Sequence, residues 1–358
     1  MSGIGPDESE YVAGPRNIQA RPKARHYSVL TTRAGKASAP RSLEGNRMKA
    51  VILDAASLGP DIDLAPIRDR VEVLEAYPQS TTAQSVERLA GAQVAIVNKV
   101  VLDAPTLEAL PELKLICVLA TGTNNLDMAA AERLGIAVRN VTAYGTASVA
   151  QHTLMLMLAL ANRLPLYQRD VATGRWGESA FFCLMDHGTL QLEGKHLVVV
   201  GQGVLGSKVA QLAAAFGMGV SFAARPGNEA GDRRRGLTEL APEADVITLH
   251  CPLTEATRHL VDAALLATMK PGALLVNCAR GGIIDEVAAL EALRQGRLGG
   301  LGVDVLPVEP PRDGHPLLDA LAEPLNLIVT PHNAWITPEA RQRVVTLTAE
   351  NLRTWQTS

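Results

Sequence analysis

Four stretches of this chain carry residue types that do chemistry when they meet. Gly201-Gln202-Gly203-Val204-Leu205-Gly206 follows an apolar run at 197–200 and precedes a helical pattern at 207–216. Arg280 stands in Asn277-Cys278-Ala279-Arg280-Gly281-Gly282, Glu309 in Val308-Glu309-Pro310-Pro311, and His332 in Thr330-Pro331-His332. Between a strand and a helix, the first glycine permits a tight turn, the second a close approach to a pyrophosphate, and the third close helix–strand packing. The anion then sits where free N–H groups and the helix dipole favour negative charge. An arginine at the carboxyl end of a strand lies in the crevice where α/β sheets bind ligands, and its fork suits a carboxylate. A carboxylate beside a histidine favours the imidazolium by about 1–3 pKa units, and such a pair can deliver or remove a proton. Taken singly, Arg280 also reads as a salt-bridge partner and His332 as a structural histidine. Together the four parts are the equipment for moving a hydride to or from a carbonyl.

NAD sites usually place an acid about 20 residues beyond the turn, where it bonds the ribose 2′-OH. The corresponding stretch is Phe222-Ala223-Ala224-Arg225-Pro226-Gly227, with Ala224 at the acid position. No carboxylate stands there to repel a 2′-phosphate, and Arg225 could grip one. The expected cofactor is therefore NAD(P)(H), leaning to NADP(H) or dual use. Arg225 could instead stack on adenine or face solvent.

Two domains must position these parts, as 358 residues allow. Strands are expected at 50–54, 71–74, 94–98, 115–119 and 137–140, with helices between them at 85–89 and 127–134. A second series is expected at 197–200, 219–223, 246–250, 274–277, 302–305 and 327–330. This alternation predicts an α/β fold of two Rossmann-like, doubly wound parallel-sheet domains with a cleft between them. A long helix is expected over 148–169. Its middle, Leu154-Met155-Leu156-Met157-Leu158-Ala159-Leu160-Ala161, is apolar on every face and must be covered all round. Burial between domains or against a second copy would serve, and a homodimer is expected. Residues 1–47 are rich in Arg, Pro, Gly and Ser without apolar periodicity and are expected to be a disordered extension. The helix after Thr337-Pro338 is expected to return to the first domain. The division is then 48–147 with 331–358 for substrate, and 148–330 for the dinucleotide.

Composition narrows the alternatives. A net charge of -3 offers no field for nucleic acid or anionic membrane, and 3% aromatics offer no base-stacking platform. Cys117, Cys183, Cys251 and Cys278 form no CxxC pair and no zinc ligand set. They read as small thiols of a reducing cytoplasm. The remaining histidines show no metal-ligand spacing, so no metal is expected. No GxSxG elbow points to hydrolysis, and no apolar run approaches a membrane span.

The chain resembles the D-isomer-specific 2-hydroxyacid dehydrogenase family from about Met48 to its end. The likeness rests on Ala120-Thr121-Gly122-Thr123-Asn124-Asn125-Leu126-Asp127, the glycine turn, His250-Cys251-Pro252-Leu253-Thr254, Met269-Lys270-Pro271-Gly272, residues 277–285, Gly302-Val303-Asp304-Val305 and Thr330-Pro331-His332. The resemblance implies that Arg280 orients a 2-oxo acid, His332 is the acid/base and Glu309 its partner. It implies that Asp304 meets the nicotinamide carboxamide, and that Thr121 and Gly122 lie at the substrate carboxylate and cofactor. It also implies that Cys251, Pro252, Cys278 and Ala279 line the dinucleotide by backbone, and that Trp335 walls the pocket. Asn98-Lys99 and the stretch 144–153 are most similar to glycerate dehydrogenases, also called hydroxypyruvate reductases, and Lys99 is expected at the substrate. Alternatives are a dehydrogenase for lactate or 3-phosphoglycerate, or a dinucleotide-sensing corepressor of the same fold.

Overall fold

The computed structural model describes residues 30–33 and 48–357. The expected extension at 1–47 lies outside the described residues except for Leu30–Arg33. Those four residues form a strand (β1) rather than unstructured chain, pairing antiparallel with the otherwise open edge of β3. The first sheet continues with β2 (Lys49–Ile52), β3 (Val73–Ala76), β4 (Val94–Val97), β5 (Leu115–Val118) and β6 (Ala137–Asn140), in the order β1-β3-β2-β4-β5-β6. Apart from β1, all its pairings are parallel. Its connecting helices are α1 (Ala65–Arg68), α2 (Thr82–Leu89), α3 (Ala104–Glu108) and α4 (Met128–Arg133). Both faces are covered. Val51 and Leu53 pack on one side while Ala50 and Ile52 pack on the other, so the strands read as continuous apolar runs.

The expected single helix over 148–169 is two helices, α5 (Thr146–Ala161) and α6 (Leu164–Ala172). Arg163 adopts left-handed backbone, φ +54°, and Pro165 stands in the first turn of α6. The proline cannot donate to the preceding turn, so the break falls just before it. The all-round apolar α5 finds its cover largely within its own chain. It lies against β10, β11 and α7 of the second sheet's unit, and only Met155 among its large apolar residues stands open.

The second sheet comprises β7 (His196–Val200), β8 (Gly219–Phe222), β9 (Val246–Leu249), β10 (Ala273–Asn277), β11 (Leu298–Val303) and β12 (Leu327–Val329). It is entirely parallel, in the order β12-β11-β10-β9-β7-β8. Its helices are α7 (Val204–Ala215), α8 (Leu237–Leu240), α9 (Ala263–Thr268), α10 (Glu286–Arg294) and α11 (Pro316–Asp319). β11 begins at Leu298, ahead of its expected start, because Gly299-Gly300 disguises a buried strand as a turn. Their small size has a use. A Cβ on Gly300 would stand 3.2 Å from Leu160 Cδ2, and one on Gly302 3.1 Å from Leu160 Cδ1, so these positions let α5 settle on the sheet.

The final helix, α12 (Pro338–Gln356), buries Val344, Val345, Ala349 and Leu352 against the first sheet's core. Arg341 bonds the Leu58 carbonyl and the Asp61 carboxylate, and Gln342 bonds the backbone of Asp63. The first unit is thus assembled from both ends of the chain.

Candidate active site

In doubly wound sheets, ligands bind outside the carboxyl ends of the strands where the strand order reverses. In the second sheet that point lies between β7 and β9. The glycine turn leaves β7 there, and His250-Cys251-Pro252 leaves β9 beside it. A Cβ on Gly201, at φ +106°, would stand 2.6 Å from the His250 carbonyl oxygen, and one on Gly206 would collide with the Gly201 carbonyl. At Gly203 the same position meets open space, and Val204 at the start of α7 is exposed. Turn and helix N-terminus are therefore shaped to admit a pyrophosphate.

At the end of β8, Ala224 is buried and its amide donates to the Arg235 carbonyl. Arg225 follows, exposed. Its amide donates to Asp232 Oδ2 at 2.9 Å. A carboxylate does stand at this strand end, supplied from seven residues on, so the expectation that none is present rested on sequence position alone.

The reversal point of the first sheet lies between β2 and β4. Asp54, at the end of β2, accepts the backbone amides of Asn98 (2.9 Å), Lys99 (2.7 Å) and Val100 (3.2 Å). Burial pushes the Asp54 carboxyl up, against the pull of those amides. This clasp fixes the loop carrying Lys99. The Lys99 amine is held below its usual range by loss of solvent and by the charge of Arg280, while Glu309 and Asp54 act the other way. Lys99, Arg280 and Glu309 therefore share one electrostatic environment across the cleft between the two sheets. Gly122 adjoins it as well, since a Cβ there would lie 3.2 Å from Arg280 Nη2. Thr121 donates its hydroxyl to the Val141 carbonyl at 3.1 Å.

Asn277, buried at the end of β10, shapes the turn that presents Arg280. Its Oδ1 accepts the Ala279 amide and its Nδ2 donates to the Arg280 carbonyl. The guanidinium donates one bond to the Ala279 carbonyl through Nη1, at 2.7 Å. Across the site, His332 Nδ1 lies 2.6 Å from Glu309 Oε2. Burial acts to raise the Glu309 carboxyl. The bonds from His332 and the Leu306 amide, with the charges of His332 and Lys99, outweigh it and hold Glu309 below the usual glutamate range.

Asp304, expected at the nicotinamide carboxamide, turns its carboxylate into the loop that bears His332. It accepts from Thr330 Oγ1 (2.6 Å) and from the amides of Asn333 and Ala334 (both 3.0 Å), while its carbonyl accepts the His332 amide (2.8 Å). His332 itself has left-handed backbone, φ +50°. Such a conformation persists when surrounding bonds over-determine it. His152 Nε2 lies 3.0 Å from Thr330 Oγ1 and 3.5 Å from Asp304 Oδ1. Burial lowers the His152 pKa, and Asp304 partly offsets this.

Trp335 meets Tyr144 edge to face, with ring centroids 6.1 Å apart. Burial raises the Tyr144 phenol, while the Arg280 charge acts to lower it. Tyr144 therefore belongs with the site. Its role, like those of Asp54, Asn277 and His152, comes from partners far along the chain or from a turn's interior, where spacing gives no warning. Cys117, Cys251 and Cys278 are buried, and burial pushes their thiols up to about 12, 11 and 12. Cys183 is half-buried. Among the described residues no cluster of His, Cys, Asp and Glu is arranged to hold a metal, and no helix is long and apolar enough to cross a membrane.

Two facing α/β units with a glycine turn in one of them define the class of dinucleotide-dependent dehydrogenases with a cleft between two domains. Residues 154–334 match the family model described as D-isomer specific 2-hydroxyacid dehydrogenase, NAD binding domain. The chain is 42% identical over 305 residues to a glycerate dehydrogenase of Methylorubrum extorquens, covering 85% of this chain and 95% of that one. It is 33% identical over 312 residues to a hydroxypyruvate reductase of Blautia hydrogenotrophica, covering 85% and 96%. The crystal structure of a protein from Thermus thermophilus superposes with a TM-score of 0.72 at 34% identity, covering 86% of this chain and 96% of that one. The chain belongs to the D-isomer specific 2-hydroxyacid dehydrogenase family, and is an oxidoreductase acting on CH–OH groups.

Proposed function

We propose that this enzyme reduces a small, hydrophilic 2-oxo acid, hydroxypyruvate or glyoxylate, to the corresponding 2-hydroxy acid. The observation that carries the reading is the 2.6 Å contact of Glu309 with His332, with the charge of Lys99 acting on Glu309 and that of Arg280 on Lys99. A lysine held below its usual range by burial and by a neighbouring arginine's charge is relieved by an anion. The unit built on the first sheet with α12 takes the acid, and the unit built on the second sheet takes the dinucleotide. Arg280 grips the substrate carboxylate, helped by Lys99 and the backbone at Thr121 and Gly122, with Trp335 as wall. The dinucleotide lies on Gly201, Gly203, Val204, Leu205 and Gly206, and along the backbone of Cys251, Pro252, Cys278 and Ala279. When bound, the reduced nicotinamide supplies a hydride to the carbonyl carbon. His332 gives the proton that the carbonyl oxygen gains, because Glu309 holds Nδ1 and leaves Nε2 free for the substrate. Glu309 stabilises the imidazolium before transfer. Arg225 would attract a 2′-phosphate on the cofactor, whereas Asp232 would repel one.

Two copies pair through the loop between α6 and β7, where Trp176, Phe181, Phe182 and Met185 are more than half exposed. The test of the catalytic reading is initial rates with NADH and NADPH against hydroxypyruvate, glyoxylate, pyruvate and phosphonooxypyruvate. Hydroxypyruvate or glyoxylate should give the highest kcat/KM. Arg280→Ala should remove measurable 2-oxo acid binding, and His332→Ala should remove turnover but spare dinucleotide binding. Turnover near wild type in either variant would refute the role assigned to that residue.

A further inference from the structure

We infer that Asp232 supplies the carboxylate missing at Ala224, and that it makes NADH rather than NADPH the dinucleotide this chain holds; the inference rests on the dinucleotide reading above. The usual acid stands at the end of the second strand of the nucleotide-binding unit, within reach of the ribose 2′-OH. Here that strand is β8. The residue in place is an alanine, and the loop 225–235 folds back so that Ala224 bonds Arg235 and Arg225 bonds Asp232. The Asp232 carboxylate is thereby brought against the strand end from further along the chain.

Arg234 fixes it there. Its Nε donates to Asp232 Oδ1 at 2.9 Å, Nη2 donates to Oδ2, and its backbone amide donates to Oδ1 at 3.0 Å. The remaining arm, Nη1, donates to Gln202 Oε1 at 2.9 Å, and Gln202 lies inside the glycine turn. The pair therefore spans from the end of β8 to the turn, the two places between which an adenosine ribose lies in this fold. The bonds from Arg234 keep the carboxyl far below the usual carboxylate range, so it is ionised at neutral pH. Arg234, with its fork already filled, is not free to grip a phosphate. Arg225 and Arg233 are not so engaged, but both stand exposed, where solvent and salt weaken their pull. Its two oxygens already take four bonds, from Arg234 and the Arg225 amide, so a ribose hydroxyl would share or replace one of them, whereas a phosphate dianion at the same distance would meet the carboxylate's charge.

The experiment is direct binding of NADH and of NADPH to the full-length protein by calorimetric titration without any 2-oxo acid. Wild type should hold NADH at least tenfold more tightly. Asp232→Ala frees Arg234 and should tighten NADPH about tenfold while weakening NADH several-fold. Asp232→Asn, which preserves shape, should move the ratio the same way. Arg234→Gln, which removes the clamp but keeps the carboxylate's charge, should still disfavour NADPH. Equal or tighter binding of NADPH by wild type overturns the inference, as does a ratio unchanged within twofold in both Asp232 variants. If both dinucleotides bind equally, this inference falls and the dinucleotide reading beneath it stands. If neither binds, the reading beneath it falls too.

Discussion

Glu309 illustrates how much one hydrogen bond decides at the scale of a residue. On the proposed reading, its contact with His332 at 2.6 Å occupies Nδ1 and leaves Nε2 to face the substrate. Glu309→Gln keeps most of the shape and removes the charge. It should lower kcat about 10²-fold, within the range for impaired general acid catalysis, and leave dinucleotide binding unchanged. Linkage gives a second readout. The Glu309 carboxyl is depressed in the folded state. Its stabilising contribution is therefore full above the unfolded value of about 4.3 and lost as pH falls through the depressed folded value. The gap in denaturation midpoint between wild type and Glu309→Gln should close on acidification, and a constant gap would count against the pairing. Lys99 has the opposite alkaline signature. Its pKa is lowered, so the protonated amine that attracts a carboxylate is lost at lower pH than for an ordinary lysine near about 10.4. KM for the 2-oxo acid should rise early on the alkaline side. Lys99→Met should raise KM about 10–100-fold, the worth of one charge-assisted bond, and flatten that rise. An alkaline KM profile identical in both proteins would place Lys99 away from the acid. The Glu309–His332 contact was legible in sequence because each of the two stands in a short motif beside a proline. Asp232 was not, since its proximity to β8 arises only when a loop folds back.

At the scale of elements, the sheets were legible because parallel strands buried on both faces leave unbroken apolar runs. The expected strand at 137–140 coincides with β6, and most others differ by a residue or two at their ends. Legibility ended where small or special residues concealed the pattern. β11 hid behind Gly299-Gly300, and the join of α5 and α6 hid behind an apolar run that continues up to Asn162 while Arg163 turns left-handed. The glycines of β11 matter because the same strand leads to Asp304 and so to the loop that holds His332. A side chain at Gly302 would press on Leu156 and Leu160 of α5 from 3.4 and 3.1 Å. Gly302→Val adds two further methyl groups to that contact. Overpacking of this kind should cost about 1–3 kcal/mol, seen as a lower denaturation midpoint. Gly219→Val, at an open position of β8, should cost far less. Equal losses at the two positions would mean that α5 does not depend on the small faces of β11.

The whole molecule is held together by two chain crossings. α5 leads from the first unit onto the second sheet, and α12 carries the chain back to the first core. His332 lies just before that return, and its loop is tied to α5 by Ser148, which donates its hydroxyl to the Ala334 carbonyl at 2.5 Å. The proposed acid/base group is thus fastened to the segments that connect the two units, while Lys99 and Gly122 of the first unit lie towards Arg280. The apolar content of α5, which suggested a second copy, is satisfied inside the chain. The surface in need of cover is instead the loop beyond α6, where Phe181 and Phe182 are 69% and 90% exposed. Burying a phenylalanine is worth about 1.5–3 kcal/mol. In a twofold pair the two positions count twice, which amounts to roughly 6–12 kcal/mol, enough to separate a nanomolar dimer from a millimolar one. The double variant Phe181→Asp, Phe182→Asp should therefore sediment as a monomer at micromolar concentration where wild type sediments as a dimer. The segments carrying Arg280, Glu309 and His332 do not include this loop, so dinucleotide binding should persist in the monomer. A wild-type monomer, or a dimer that survives both aspartates, would show that the exposed aromatics serve something other than self-association.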